Sequence, residues 1–220
     1  MKVAVLFSGG KDSILALQES LRKGDEVRYL VSFFSERPEP YMYNYSNVSL
    51  AIMQSLSLGF KLVTKRLEPG KEQEEIKRTL ESISKDIEGL VVGVSLSSKQ
   101  KDLLSRMCKS LRIKLLTPLA GKRQDALWKS ALDSGFEIVI VYSKGMDKKW
   151  LGRTVQKKDL RGISGKGSAF RTLVMNGPIF RSRMEITDSG SEWKGKEGRF
   201  LIKDAKLKGA FSGAQQAEAG

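Results

Sequence analysis

The chain has 220 residues, 40% hydrophobic and 29% charged, an ordinary balance for a soluble globular protein, and its length suits a main domain with a smaller one appended. It holds no histidine, which excludes a histidine-ligated zinc site, a histidine general base and a Ser-His-Asp triad. The formal charge of +14 favours an anionic partner such as a nucleotide, a nucleic acid or an acidic protein surface. Acids and bases are interleaved, as in Lys71-Glu72-Gln73-Glu74-Glu75-Ile76-Lys77-Arg78, so the charge reads first as a solvated surface and a nucleic-acid partner is the less favoured reading.

In chain order, residues 2–7 form a short apolar run that ends at Ser8-Gly9-Gly10, and Ile14, Leu15, Leu17 and Leu21 then recur with helical spacing. A second strand is expected at about 27–34, followed by a polar loop with Pro and Tyr residues from Ser35 to Ser46. A helix is expected from an Asn47 cap to Leu58, stopped by Gly59. The alternation continues with strands at 61–65, 89–94, 113–116 and 136–142 and helices at 71–87, 98–111 and 122–134. Such alternation implies a parallel sheet covered on both faces.

Beyond about residue 143 the pattern breaks into strand-like pieces at 171–175, 179–187 and 199–206, which predict a small mixed or β-rich subdomain. The expected division is therefore 1–142, 143–208 and a frayed tail at 209–220. No apolar run approaches the roughly 20 residues of a membrane span, and Met1 leads directly into the first strand without a leader pattern, so the expectation is a cytoplasmic protein without a membrane partner. The single cysteine, Cys108, excludes an internal disulfide; its place in the row Leu103, Leu104, Met107, Cys108, Leu111 predicts a buried structural thiol.

Ligands of an open parallel sheet sit beyond the carboxyl ends of its strands, where the first strand meets the first helix. Residues 8–13, Ser-Gly-Gly-Lys-Asp-Ser, occupy that place. Gly9 and Gly10 permit a tight turn that brings N–H groups close to phosphate oxygens, and the helix dipole adds to the attraction. Ser8 and Ser13 add hydroxyls and Lys11 adds positive charge. Asp12 repels phosphate but suits a magnesium ion held on a triphosphate. The spacing is not that of a Walker A loop.

The pattern Ser-Gly-Gly-x-Asp-Ser resembles the PP-loop, or N-type ATP pyrophosphatase, superfamily, whose members split ATP between the α and β phosphates and adenylylate a substrate oxygen. The resemblance implies a Rossmann-like adenine nucleotide α-hydrolase fold, ATP and Mg²⁺ as cofactors, and Lys11 and Asp12 as the catalytic pair. Later segments resemble the diphthine-ammonia ligase branch: Gly93 to Gln100, which keeps Gly93, Ser97 and Gln100 of that pattern; Pro118-Leu119; Trp150-Leu151-Gly152-Arg153; and Phe170 to Phe180. That branch amidates a modified histidine of translation elongation factor 2, so ammonia and the diphthine-bearing factor are the implied partners. Gly93 is implied in the nucleotide site, and Asn44, Ser97, Gln100, Gly165, Lys166, Arg171 and Thr172 on the substrate side.

The departures are as informative. The branch's Gly-Glu-x-Gly-Glu loop is here Gly165-Lys166-Gly167-Ser168-Ala169, a histidine position after the second strand is Asn44, and Ala120 replaces a tryptophan. Exchanging two carboxylates for Lys166 and Ala169 reverses the local field. Two other readings stay open: a tRNA-modifying enzyme of the superfamily, and a nucleotide-binding regulatory protein that has lost ligase activity. Trp150 is read equally as packing between domains or as substrate contact, Gly177-Pro178 as a turn, and the row Tyr41, Tyr43, Tyr45 as an edge strand or a cover over the nucleotide.

Overall fold

The structure is a computed structural model, and it describes residues 1–35, 48–93, 98–163 and 169–209. The first half alternates strand and helix: β1 (Lys2–Leu6), α1 (Lys11–Arg22), β2 (Glu26–Ser35), α2 (Val48–Leu58), β3 (Lys61–Leu67), α3 (Glu72–Ile83), β4 (Gly89–Val92), α4 (Ser98–Ser110), β5 (Lys114–Leu116) and α5 (Gln124–Asp133). The five strands form one parallel sheet in the order β3-β2-β1-β4-β5. This is the Rossmann-like arrangement expected from the alternation.

Apolar spacing decides which face each helix covers. On α3, Ile76, Leu80 and Ile83 fall on one stripe, and on α4 so do Leu104, Met107 and Cys108; both stripes close over Ala4, Leu6 and Leu90. Burial pushes the Cys108 thiol up to about 11, as suits a structural cysteine. On the opposite face α1 and α5 pack Ile14, Leu17, Leu127 and Trp128 against Val3, Val5 and Val91. Phe33 and Phe34 are both core residues.

The second half is an antiparallel sheet of β6 (Glu137–Lys144), β7 (Ala169–Asn176), β8 (Arg183–Lys194) and β9 (Glu197–Lys208), in the order β7-β6-β9-β8. A short helix, α6 (Leu160–Ile163), precedes β7. The reading of 136–142 as the last strand of the parallel series does not hold, because this strand pairs with β7 and β9 instead. The run Ile138-Val139-Ile140-Val141 is apolar on both sides, which suits a central strand of either sheet kind, and periodicity alone does not choose between them. Ile138 and Ile140 join the core shared with α1 and α5, whereas Val139 faces Leu50, Leu173 and Met184. One apolar core therefore runs from the parallel sheet into the antiparallel one, and it seats α1 between them.

Candidate nucleotide site

The residues that leave β1 turn through Gly9, whose φ of +72° favours glycine, and enter α1 at Gly10, which caps the helix with no side-chain hydrogen bond. The first turn of a helix leaves N–H groups without intrahelical acceptors, and an uncapped start keeps that end of the dipole available to an anion. Ser13 Oγ donates to the Gly10 carbonyl at 2.9 Å, and Ser8 Oγ donates to Ser13 Oγ at 3.2 Å, so the two hydroxyls pin the loop to its own helix. Because β4 lies beside β1, its end at Gly93 meets the same first turn: a Cβ there would come 2.2 Å from the Asp12 carbonyl oxygen. Gly93 thus closes the site from below, at the point where the strand order reverses.

Lys11 does not stand free in solvent. Its side chain is 2% exposed, and its ammonium donates to Asp12 Oδ1 at 2.5 Å and to Gln124 Oε1 at 3.1 Å, with the Trp128 ring centroid 5.2 Å away. Burial pulls the lysine below its ordinary pKa, and the Asp12 charge and hydrogen bond work against that fall. The ammonium lies just inside the rim of the loop, where its partner Asp12 is 24% exposed.

The second sheet braces the loop. Strand β7 lies at its sheet's edge, where outward backbone groups need partners, and the loop supplies them. Val174 N–H donates to the Gly9 carbonyl at 3.0 Å, and Lys11 N–H donates to Thr172 Oγ1 at 3.0 Å. Gln54 of α2 ties both together, since its Nε2 donates to the Gly9 carbonyl at 2.9 Å and to the Val174 carbonyl at 2.8 Å. Gln54 Oε1 and Trp128 Nε1 are buried without a hydrogen-bond partner among the described residues. The backbone of this loop, which belongs to the first half of the chain, is thus held from β7 in the second.

Of the residues expected from sequence, Ser8, Gly9, Gly10, Lys11, Asp12, Ser13, Gly93 and Thr172 come together around the loop. Arg171 does not, because neighbours on a strand face opposite sides and its guanidinium lies over Tyr142 instead. Gln100 stands half-buried in the first turn of α4. Asn44, Ser97, Gly165 and Lys166, and the Tyr41, Tyr43, Tyr45 row, lie outside the described residues. Trp150 is buried in the shared core, with Lys149 and Arg153 over its ring, so it packs the junction. Gln54, Gln124 and Trp128 were not expected. A lone amide on the buried stripe Leu50, Gln54, Leu58 is the signal that could have found Gln54.

Among the described residues no three His, Cys, Asp or Glu side chains are grouped to hold a metal. The single carboxylate of Asp12 fits magnesium in the manner usual for nucleotide sites, where one or two carboxylates are joined by phosphate oxygens and water. Among the described residues no helix is long and apolar enough to cross a membrane.

The model of the diphthamide synthase N-terminal domain matches residues 1–115, and that of its C-terminal domain matches residues 123–207. The diphthine–ammonia ligase of Schizosaccharomyces pombe is 28% identical over 86% of this chain, which spans 36% of that protein's length. The Mus musculus protein of the same name is 25% identical over 86% of this chain and 84% of its own length. A solved structure described as a predicted subunit of tRNA methyltransferase from Methanocaldococcus jannaschii superposes with a TM-score of 0.40 at 22% identity, covering 73% of this chain and 85% of that one. With both halves matched in order, and the glycine loop and its bracing strand falling one in each, the chain belongs to the diphthamide synthase family.

Proposed function

We propose that this protein is an ATP-dependent carbon–nitrogen ligase of diphthamide biosynthesis, which forms an amide from a carboxylate and ammonia while ATP becomes AMP and pyrophosphate. The observation that carries the reading is the uncapped glycine loop at the β1–β4 crevice, with Lys11 and Asp12 paired at its rim. Ser8 to Ser13 would hold the triphosphate, and Gly93 leaves room by keeping β4 clear of the helix start. A carboxylate oxygen of the acceptor attacks the α-phosphorus, the bond to the bridging oxygen of pyrophosphate breaks, and an acyl-adenylate forms. Lys11 and the N–H groups of the loop stabilise the departing negative charge. Ammonia then attacks the acyl carbon, loses a proton and expels AMP. With no histidine in the chain, that proton goes to a carboxylate, to AMP or to water. Asp12 would hold magnesium, which would supply charge neutralisation for the triphosphate.

In this reading the parallel sheet carries the nucleotide, the antiparallel sheet carries the acceptor, and the protein works in the cytoplasm on elongation factor 2 bearing diphthine. The replacement of two glutamates by Lys166 and Ala169 makes the acceptor the point to test. Purified protein with ATP, magnesium and ammonium should release pyrophosphate when the diphthine-bearing factor is added and convert it to the amide. Pyrophosphate release triggered by tRNA and not by the factor would assign the chain to tRNA modification instead.

A further inference from the structure

On the side of the second sheet away from the phosphate loop, three side chains stand in a row across three strands. The pairing of β6 with β7 sets Tyr142 opposite Arg171, and the pairing of β6 with β9 sets Tyr142 opposite Arg199. Directly paired residues share a face, so the two guanidinium groups rise from strands roughly 10 Å apart with the tyrosine between them. Arg171 lies with its Cζ 5.6 Å from the Tyr142 ring centroid. The carboxylates of this face lie toward Arg199 and not toward Arg171: Glu192 of β8 is paired opposite Arg199, and Glu197 takes the Tyr142 hydroxyl and the Lys144 ammonium and feels the Arg199 charge.

Arg171 is half-buried and has no carboxylate beside it among the described residues; the groups that influence it are the phenol ring and a second arginine. Burial pulls its pKa down, the phenol opposes this, and the Arg199 charge lowers it further. A ring face attracts a guanidinium but accepts few of its five N–H donors. A half-desolvated guanidinium with few acceptors is costly, and a bidentate oxyanion relieves that cost.

We infer that Arg171, with Tyr142 and Arg199 flanking it, forms an anion subsite that takes one carboxylate or phosphate group of the acceptor, separate from the phosphate loop on the other side of β7. The inference rests on the reading that the antiparallel sheet carries the acceptor. Thr172, next in the chain, holds the loop at Lys11 N–H, so one strand separates an acceptor anchor from the nucleotide.

The test titrates the full chain, saturated with a non-hydrolysable ATP analogue to fill the loop, with sodium acetate and separately with inorganic phosphate. The backbone amide resonances of β7 and the Arg199 Nε–H resonance report binding in the wild type and in the variants alike. The expected result is saturable binding of at least one of the two anions, weakened tenfold or more in Arg171→Gln and retained in part in Arg171→Lys. Preference for acetate identifies a carboxylate on the acceptor, and preference for phosphate a phosphorylated one. Absence of saturable binding, or equal affinity in Arg171→Gln with the fold intact by its amide spectrum, overturns the subsite. Failure of the analogue to bind the wild type would count against the ligase reading alone, since the anion titration still decides the subsite.

Discussion

Lys11 is a buried cation whose charge is only partly compensated. A lysine 2% exposed loses most of its hydration, and Asp12, Gln124 and the Trp128 ring return part of it. The balance still disfavours the charged form, so the unfolded chain holds this proton more tightly than the folded one. Stability contributed by this group must therefore rise with pH between the lowered folded value and the ordinary lysine value, where the unfolded chain also gives up its proton. Urea unfolding of the wild type and of Lys11→Met from pH 8 to 10.5 should show a stability difference that shifts in the wild type's favour as pH rises. A pH-independent difference would mean that the ammonium is not strained by burial. The same tension has a functional side, because a cation held by one carboxylate and one amide passes readily to a phosphate group with more negative charge.

At the scale of elements, the unit that matters is the phosphate loop with the edge of β7. Edge strands need partners, and this one pairs with the loop through Val174 and Thr172 while Gln54 clamps both from α2. A hydrogen bond of this kind contributes about 1 kcal/mol, or roughly fivefold in affinity. Thr172→Val, which keeps the shape and removes the acceptor, should weaken ATP binding about fivefold by titration calorimetry, and Thr172→Ser should restore it. Unaltered affinity in Thr172→Val would show that the second sheet does not govern the loop. Gly93 belongs to the same unit: any side chain there would collide with the first turn of α1.

Across the whole molecule, much of the parallel half was legible because its strands are apolar runs and its helices carry single buried stripes, as α3 does with Ile76, Leu80 and Ile83. The strand 137–144 was misassigned because Ile138 to Val141 are apolar on both sides and carry no mark of their sheet. The loop Ser8–Ser13 was readable from its position between strand and helix, but its bracing was not. Thr172 lies 161 residues from Lys11 in sequence, and only tertiary folding joins them. Gln124 and Trp128 escaped for the same reason, and the reversal of Arg171 away from the loop follows from strand alternation once β7 has a register. The two matched halves share one continuous core, and in the proposed function nucleotide and acceptor meet across β7. The most direct test is the fate of ATP labelled in its α-phosphate, incubated with the protein, magnesium, ammonium and the diphthine-bearing factor. The account predicts that the label appears in AMP with one pyrophosphate released per AMP, and that Lys11→Ala and Asp12→Ala each lower the rate roughly tenfold or more. Label accumulating in ADP with release of phosphate, or rates in both variants equal to that of the wild type, would contradict it.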